Sequence, residues 1–599
     1  MRVPRFVRLA LAVGTVGGLT VPLLVGSSAP AAGVSYNPAP ANHFHAPLSS
    51  VAISALSQTF NPHGADNPNG GAANPSSNSP LARPTSAGAV SSIPLPPNII
   101  RFNTDQSYMP QSETTIAVDP NNASHVVGGV NDSRVFFCPF LSTADCPSGY
   151  TESLSGFTTS SDGGHSVAVS DDIPSLTVNS EYLRSWGDPN VRATIGGNFF
   201  YTSLAIDPRG TAFGNGVEIA ISNSQLWTDP SSCVTPLGSP TSNPCWTAAL
   251  VFGNTGGSAS APILTFEDKP MLSVDMDPSS PYYGDAYIGW DHFNADGTSS
   301  SYLARCDQSL HCTMLSGDTA PVVSGSDPFP AFTTPVVDAN GNVYVTWCNY
   351  GTTTALIPIV CKEASSGPGG TSFGSTSTIL STNGGLDGYA MEQFRTTNIP
   401  VLAVDTSNKK TAGNLYFTID VCTAGNYFDF TGPGLPGDCG ASGVLFSRST
   451  DGGATWSTPV NVSANAPGSS GVNPADATTA QPWVTVDPKT GEVNLVYYTT
   501  QFDAFDHRID VEAAGSPNGG KSWSFDRITR TSIEPDSDPA YYNFLAASGF
   551  GGSFIVPQFG DYLQAAAMNG KLWTSFCATY TAELGTFQTD PYLAITNEP

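Results

Sequence analysis

Positively charged residues are scarce in this sequence. Its 599 residues contain 22 Lys and Arg against 49 Asp and Glu, so the formal net charge is −27 at pH 7, and only 12% of residues are charged. Nucleic-acid binding needs clustered cations that neutralise phosphates, so nucleic acid is not an expected partner. The same acidity disfavours adhesion to anionic membranes, but it leaves room for a small basic pocket that binds a carboxylated sugar.

Long apolar runs are confined to the N-terminus. Three arginines among the first eight residues precede the largely apolar stretch 9–25, and Ala29-Pro30-Ala31 matches a signal-peptide cleavage pattern. Glycine and proline interrupt the apolar stretch, which favours a cleaved signal over a permanent anchor. No later segment approaches the ~20 apolar residues of a membrane span. We predict a signal peptide over 1–32 and a secreted, extracellular monomer without a membrane span.

Several catalytic signatures are also absent. The chain has no G-x-S-x-G elbow, no H-E-x-x-H and no P-loop. Zinc is the alternative explanation for the cysteines, but no C-x-x-C occurs and the eight histidines do not cluster with them. Ten of the eleven cysteines fall into close pairs, which predicts local disulfides and leaves Cys577 as a buried free thiol. The pairs are Cys138/Cys146, Cys233/Cys245, Cys306/Cys312, Cys348/Cys361 and Cys422/Cys439.

Helical periodicity is almost missing, whereas 60 glycines and 49 prolines indicate a turn-rich β protein. Residues 33–100 are rich in Pro, Ser, Asn and Gly and are predicted to be a disordered linker. From residue 111 a unit repeats, namely a short apolar strand, a turn that mostly begins with Asp, and a second strand. The seven copies are 114–130, 203–220, 270–290, 334–347, 400–417, 482–497 and 561–574. Such hairpins without helical crossovers predict radially repeated antiparallel sheets.

A second motif is shorter. Residues 449–456 read S-x-D-G-G-x-T-W, and 160–167 and 516–523 are degenerate copies. The pattern resembles the Asp-box, or bacterial neuraminidase repeat, of sialidase-like β-propellers, and the resemblance covers roughly 111–597. It implies an all-β propeller of 101–599, in which Asp162, Asp451, Asn518, Trp456 and Trp523 build outer turns and do no chemistry. The family has six blades and this chain has seven units, so six and seven both remain open.

The first strand of each unit is expected to line the central channel, which places the residues at its start at one channel mouth. Those residues are Glu113, Asp268 and Lys269, Gln481 and Asp561, whereas the fifth unit has Asn398 and Ile399. A purely structural core does not require this polarity, so the mouth is the predicted site. The alternative is that these side chains are solvated loop ends.

The resemblance implies three arginines that bind a substrate carboxylate, a Tyr nucleophile activated by Glu, and an Asp acid/base. The family's Phe/Tyr-Arg-Ile-Pro motif is missing, and Ile100-Arg101-Phe102-Asn103 is its nearest analogue. The catalytic candidates are Glu113, Asp132, Asp268 and Tyr562, with His292 as a further proton-transfer group. The substrate-binding candidates are Arg134, Arg192, Arg395, Gln481 and Asp561.

Two functions follow as hypotheses. The first is exo-glycosidase activity of the exo-α-sialidase type on terminal sialic acid or a related acidic sugar. The second is non-catalytic binding of glycans or proteins outside the cell, which the missing arginine motif favours. No cofactor is expected, although Ca²⁺ could bind the Asp- and Asn-rich turn 338–342.

Overall fold

The computed structural model describes ten segments of the chain. These are 91–107, 109–138, 146, 151–317, 323–350, 359–382, 398–425, 439–538, 559–583 and 586–599. The predicted signal peptide, most of the predicted linker and Arg395 lie outside them. No helix within these segments is long and apolar enough to cross a membrane.

The described residues form eight antiparallel sheets, of which seven are blades of a β-propeller and one is a small two-stranded hairpin. The first three blades follow β1 (Ile99–Arg101) in the chain. Blade 1 contains β2 (Gln111–Asp119), β3 (Asn122–Asp132), β4 (Ser155–Ser160) and β5 (Val169–Asp172). Blade 2 contains β6 (Leu176–Val178), β7 (Glu181–Ser185), β8 (Asn190–Ala193), β9 (Phe199–Ile206), β10 (Gly214–Ser222) and β11 (Trp246–Thr255). Blade 3 contains β12 (Phe266–Val274), β13 (Ala286–Phe293), β14 (Ser299–Cys306) and β15 (Cys312–Ser316).

The remaining four blades repeat this plan. Blade 4 contains β16 (Pro330–Val337), β17 (Val343–Tyr350), β18 (Ile359–Ser366) and β19 (Ser377–Thr382). Blade 5 contains β20 (Val401–Val404), β21 (Leu415–Gly425), β22 (Cys439–Ser449) and β23 (Val460–Asn461). Blade 6 contains β24 (Thr479–Val486), β25 (Val493–Thr499), β26 (Asp510–Ser516) and β27 (Ser524–Arg527). Blade 7 contains β28 (Gln564–Met568), β29 (Lys571–Ala578) and β32 (Asp590–Asn597), beside the small hairpin β30 (Ala582–Glu583) and β31 (Thr586–Phe587).

Helices are short in the described segments. The two α-helical turns are α1 (Arg134–Phe137) and α2 (Gln225–Thr228). Single 3₁₀ turns occur at Ile195–Gly197, Pro230–Ser232, Ser463–Asn465 and Pro535–Ser537.

The blades close into a ring. The innermost strands contact one another in the cyclic order β2, β8, β12, β16, β20, β24, β28 and back to β2. β1 pairs with β32, with Ile100 opposite Leu593, so the N-terminal strand completes the last blade. Seven blades, one of the two predicted numbers, is therefore confirmed. The structured part also begins earlier than predicted, because Ile99 and Ile100 lie in this sheet and not in a linker.

One strand assignment from the sequence is wrong. The segment 203–207 is expected from the sequence to be the inner strand of the second blade, but 203–206 lie in β9, the second strand from the axis. The inner strand is the short β8, which pairs with β9 through Val191 and Tyr201. β8 lacks the Asp-terminated apolar pattern of the other units, so the sequence repeat does not identify it.

The Asp residues that follow the inner strands are turn caps, as predicted. Asp119, Asp338 and Asp487 each accept the backbone N–H two residues ahead, at 2.8, 2.8 and 2.7 Å. Asp338 also accepts Asn342 N at 2.9 Å and Asn342 Nδ2 at 2.9 Å. The turn's own donors thus occupy the carboxylate proposed for Ca²⁺. No cluster of three or more His, Cys, Asp or Glu side chains suited to a metal occurs in the described residues.

The D-G-G and N-G-G turns occupy one position, between the third and fourth strands of blades 1, 5 and 6. In each, Oδ1 of Asp162, Asp451 or Asn518 accepts the backbone N–H four residues ahead, at 2.9, 2.9 and 3.0 Å. Trp456 Nε1 donates to Ser377 Oγ of blade 4 at 3.2 Å, and Trp523 packs edge-on against Phe446 of blade 5. These contacts fit a structural role; membership in the Asp-box repeat stays a prediction.

Four of the five predicted disulfides are confirmed. They are Cys138–Cys146, Cys233–Cys245, Cys306–Cys312 and Cys348–Cys361. The side chain of Cys439, a member of the fifth predicted pair, lies outside the described part. Cys577 is a buried free thiol, as predicted.

Candidate functional site

A kink in the inner strands shapes the channel mouth. Just before or at the start of these strands, one residue adopts a left-handed backbone conformation. The residues and φ angles are Glu113 (56°), Asp188 (54°), Lys269 (50°), Phe332 (60°), Gln481 (53°) and Gly560 (85°). In four blades this residue is skipped in the strand pairing, as between Asp268 and Met271, which is a β-bulge. The side chains of Glu113, Asp188, Lys269 and Gln481 contact neighbouring blades from these positions.

Side chains of four blades meet at this level around Lys269. Its Nζ lies 2.9 Å from Asp561 Oδ2, 3.2 Å from Asp188 Oδ1 and 3.5 Å from Glu113 Oε2. All four residues are buried. A Cβ at Gly560 would lie 2.0 Å from Glu113 Cγ, so only glycine permits this approach. We call Glu113, Asp188, Lys269 and Asp561 the axial ionic cluster.

The axial ionic cluster has more carboxyl groups than one ammonium group can neutralise. Burial raises the pKa of Glu113 well above its usual range, because Lys269 only partly compensates the lost hydration. Burial likewise raises the pKa of Asp188 to about 7, with Lys269 opposing the shift and Asp268 adding to it. For Lys269 the neighbouring carboxylates outweigh burial, and its pKa is raised. Burial therefore disfavours the ionised forms of Glu113 and Asp188, whereas the carboxylates around Lys269 favour its charged form.

Tyr562 packs beneath this cluster. Its ring centroid lies 5.0 Å from Lys269 Nζ, and its hydroxyl donates to Pro189 O at 2.6 Å. Burial and the nearby carboxylates of Glu113 and Asp188 raise the Tyr562 pKa well above the usual range. A tyrosine that is buried, protonated and engaged in this way suits a supporting role more than nucleophilic attack.

Asp132 and Arg134 form a separate ion pair beside the mouth. Arg134 Nη2 lies 2.5 Å from Asp132 Oδ2, and Arg134 Nε lies 3.8 Å from Asp105 Oδ1. Gln111 Nε2 donates to Asp132 Oδ2 at 3.1 Å and ties the pair to the start of β2. The Arg134 guanidinium is thus neutralised inside the protein, which leaves it poorly suited to hold a substrate carboxylate.

Gln481 and Arg192 lie on other sides of the axis. Gln481 Nε2 donates to Gly560 O at 2.6 Å and links blades 6 and 7. Arg192 extends from blade 2 towards blades 6 and 7, where its guanidinium lies 5.6 Å from the Trp483 ring centroid and Nη1 lies 3.4 Å from Gln564 Oε1. Neither residue belongs to the axial ionic cluster.

A pocket of about 820 Å³ opens at the mouth-side end of blade 3. Its lining combines Asn254, Thr265, His292, Asn294, Asp296 and Thr298 with the apolar Ile263, Leu264 and Ala295. His292 Nδ1 lies 2.8 Å from Glu267 Oε1, and the imidazole stacks on Tyr302 at 4.3 Å. Trp290 Nε1 donates to Glu267 Oε2 at 2.7 Å, so the carboxylate and the imidazole are both held in place. Glu267 directly precedes Asp268 and Lys269 in the chain.

The structure brings four of the predicted site residues into contact, namely Glu113, Lys269, Asp561 and Tyr562, with Asp268 next to Lys269. Asp132 with Arg134, Gln481 and Arg192 lie apart from them, and Arg395 is not described. Sequence analysis missed Asp188 as a mouth residue. The signal was the dipeptide Asp188-Pro189, which matches Lys269-Pro270 and Gln481-Pro482 at the same bulge.

Comparisons with known proteins find solved structures whose sequences are only distantly similar to this chain. No protein-family model matches the chain, and no curated protein matches it. A Hadza microbial sialidase is 11% identical, with 85% of this chain and 98% of that chain covered at a TM-score of 0.38. The α-L-arabinanase of Penicillium chrysogenum is 13% identical, with 72% and 98% covered at a TM-score of 0.37. An α-L-arabinofuranosidase of Fusarium graminearum is 12% identical, with 72% and 98% covered at 0.36. These similarities assign no activity to this chain.

Proposed function

We propose that the protein acts on glycans as an exo-glycosidase and that the axial ionic cluster supplies the acid and base groups. The observation that carries the proposal is the convergence of three buried carboxyl groups, those of Glu113, Asp188 and Asp561, within 3.5 Å of Lys269 Nζ at the channel mouth. A buried carboxyl group that stays protonated near pH 7 has the property required of a general acid. The four disulfides fit an oxidising compartment, and we extend the proposal to an extracellular location.

Glycoside hydrolysis needs one carboxylic acid and one carboxylate. In our proposal Glu113 donates its proton to the glycosidic oxygen as the bond between that oxygen and the anomeric carbon breaks. Asp188 then takes a proton from the water whose oxygen bonds to the anomeric carbon. Lys269 keeps these carboxylates in position and favours their ionised forms.

The neighbouring pocket supports a sugar as the ligand. Side-chain amides and hydroxyls of Asn254, Asn294 and Thr298 match the hydrogen bonds of sugar hydroxyls, and Leu264 adds an apolar wall. Within this proposal, the more specific substrate is an acidic sugar such as sialic acid. The buried Tyr562 hydroxyl and the ion-paired Arg134 favour a carboxylate-based mechanism over one with a tyrosine nucleophile.

The first test is turnover by the full chain of fluorogenic glycosides that include a sialoside and an arabinofuranoside. We expect Glu113→Gln and Asp188→Asn each to lower kcat by about 10²- to 10⁴-fold, because general acid or base catalysis is lost. Glu218→Gln is the matched control, since Glu218 is also buried with a pKa near 7 but contacts Ser185 and Ser203. Equal loss in all three variants would contradict the proposed roles.

A second candidate is non-catalytic glycan binding at the same pocket. The observation that favours it is that the axial ionic cluster is buried whereas the pocket is open. Glycan-array binding that Asn294→Ala weakens, together with no turnover of any glycoside in the panel, would support this candidate over hydrolysis.

A further inference from the structure

Arg192 differs from most other arginines of the described residues. Arg101, Arg134, Arg209, Arg305, Arg508, Arg527 and Arg530 all lie within 4.0 Å of a carboxylate. Within the described segments no carboxylate lies at ion-pair distance from Arg192. Its Nη1 donates to Val191 O at 2.8 Å, and its guanidinium packs on Trp483. Burial alone lowers its pKa to about 10, so it remains a cation at neutral pH.

Arg192 lies on an innermost strand, in the ring of residues around the propeller axis. It lies four residues after the bulge residue of its blade, as Gln564 does in blade 7. The same position in the other blades that have a bulge residue holds Ala117, Ser273, Val336 and Thr485. These side chains are shorter than arginine and uncharged, whereas the Arg192 side chain extends from blade 2 to Trp483 of blade 6 and Gln564 of blade 7.

Gln564 supplies a second donor at this point. Its Oε1 accepts Thr115 Oγ1 at 2.5 Å and Arg192 Nη1 at 3.4 Å, and these two donors define the orientation of the amide. Its Nε2 is completely buried and has no hydrogen-bond partner among the described residues. A buried N–H group without an acceptor is unfavourable unless something else occupies the acceptor position.

We propose that Arg192 and Gln564 form an axial anion site that binds a small carboxylate. The planar guanidinium matches a carboxylate, the Gln564 amide N–H adds a third donor, and Trp483 covers one face of the guanidinium. A bound anion would neutralise the Arg192 charge and join blades 2, 6 and 7. The site is separate from the axial ionic cluster, so its existence does not depend on hydrolysis.

The test measures the melting temperature of the full chain against acetate concentration. Ionic strength is held constant with the sodium salt of a bulky buffer sulfonate. Because ligands that bind only the native state stabilise it by mass action, we expect a saturable rise on the order of 1–3 °C. Glucuronate in place of acetate tests a carboxylate carried by a sugar.

Variants make the assignment specific. Arg192→Gln should abolish the acetate response, whereas Arg448→Gln should retain it. Arg448 is a suitable control because it is also partly buried, and it donates to the backbone carbonyl of Gly519 at 2.6 Å without an ion pair among the described residues. Gln564→Glu should melt higher than the wild type without acetate and show no response, because its own carboxylate would pair with Arg192.

Each outcome decides the proposal. A saturable acetate response that Gln564→Glu removes supports the site even if Arg192→Gln does not fold. An unresponsive wild type, or equal responses in the wild type and in Gln564→Glu, would overturn it. A response to glucuronate without one to acetate would overturn the assignment to a small free anion.

Discussion

The ring of bulges has a charged half and a neutral half. Blades 7, 1, 2 and 3 place Asp561, Glu113, Asp188 and Lys269 at or next to the bulge, whereas blades 4 and 6 place Phe332 and Gln481 there. The backbone conformation is nearly the same, with φ of 56° at Glu113 and 60° at Phe332. The fold therefore requires the bulge but not a charge at that position, and the charges of the first half need another explanation.

The neutral half shows how the fold itself stabilises a bulge. Asp291 at the end of β13 accepts Phe332 N at 2.6 Å, Thr333 N at 3.1 Å and Thr333 Oγ1 at 2.9 Å. In blade 2, Asn131 Oδ1 accepts Asp188 N at 3.1 Å. In both halves, a side chain from the preceding blade thus accepts the backbone N–H of the bulge residue. The side chains of the bulge residues remain available for other roles.

The largest effect is expected on the charged half. Lys269→Met should lower the free energy of unfolding by about 3–5 kcal/mol, because it leaves buried carboxylates without their cation. Denaturant unfolding at pH 7 measures this loss in the free energy of unfolding. The control is Lys362→Met, whose partly exposed ion pair with Asp327 at 2.6 Å should contribute about 0–1 kcal/mol. Similar losses in both variants would show that burial of the cluster adds nothing.

The neutral half is tested by removing the Asp291 carboxylate, which accepts hydrogen bonds from the bulge of blade 4. Asp291→Ala should lower the free energy of unfolding by about 2–3 kcal/mol, because buried N–H groups of Phe332 and Thr333 lose their acceptor. Asp291→Asn keeps one acceptor oxygen and should recover part of the loss. If Asn and Ala were equally destabilising, the negative charge rather than the hydrogen bonds would be the important feature.

The two halves should also differ in their pH dependence. A buried acid with a raised pKa binds its proton more tightly in the native state, so its contribution to stability is greatest below pH 4 and declines as pH rises to about 7 for Asp188. Each extra proton bound by the native state gives a slope of about 1.4 kcal/mol per pH unit. Asp188→Asn should therefore flatten the stability profile between about pH 4 and pH 7.

The control for this pH effect is Asp162→Asn in an outer turn. Hydrogen bonds to its carboxylate lower the pKa of Asp162 to about 2, although its partial burial opposes this. The contribution of Asp162 is therefore lost as pH falls from about 4 to about 2, outside the window of Asp188. A profile that Asp162→Asn flattens between pH 4 and pH 7 would contradict the assignment to the cluster.

The smallest effect is expected far from either half, in the outer turns. Asn518→Asp should change the free energy of unfolding by less than about 0.5 kcal/mol, because Oδ1 keeps Lys521 N and Ser522 N as donors. The Ser522 hydroxyl, which now accepts from Asn518 Nδ2 at 2.7 Å, can rotate to donate. A loss above 1 kcal/mol would mean that this turn depends on the amide.

Much of the propeller fold could be predicted from local sequence patterns. Repeated apolar strands followed by Asp predicted hairpins, and these hairpins became the inner pairs of six blades because strand alternation and turn capping are local properties. The pairing of β1 with β32 was not predicted, because the linker was extended to residue 100 and covered most of β1. Blade 2 was misjudged because β8 is only four residues long and carries Arg192 in place of an apolar run.

The candidate site could be predicted from the sequence only in part. The sequence alone determined that the chain is acidic and β-rich, that its cysteines pair locally and that polar side chains stand at the start of several inner strands. Tertiary structure decided which of them meet, because Glu113, Asp188, Lys269 and Asp561 come from four different blades that are distant in sequence. It also decided their protonation, since burial and a shared lysine raise the pKa values of Glu113 and Asp188 only after the ring has closed around them.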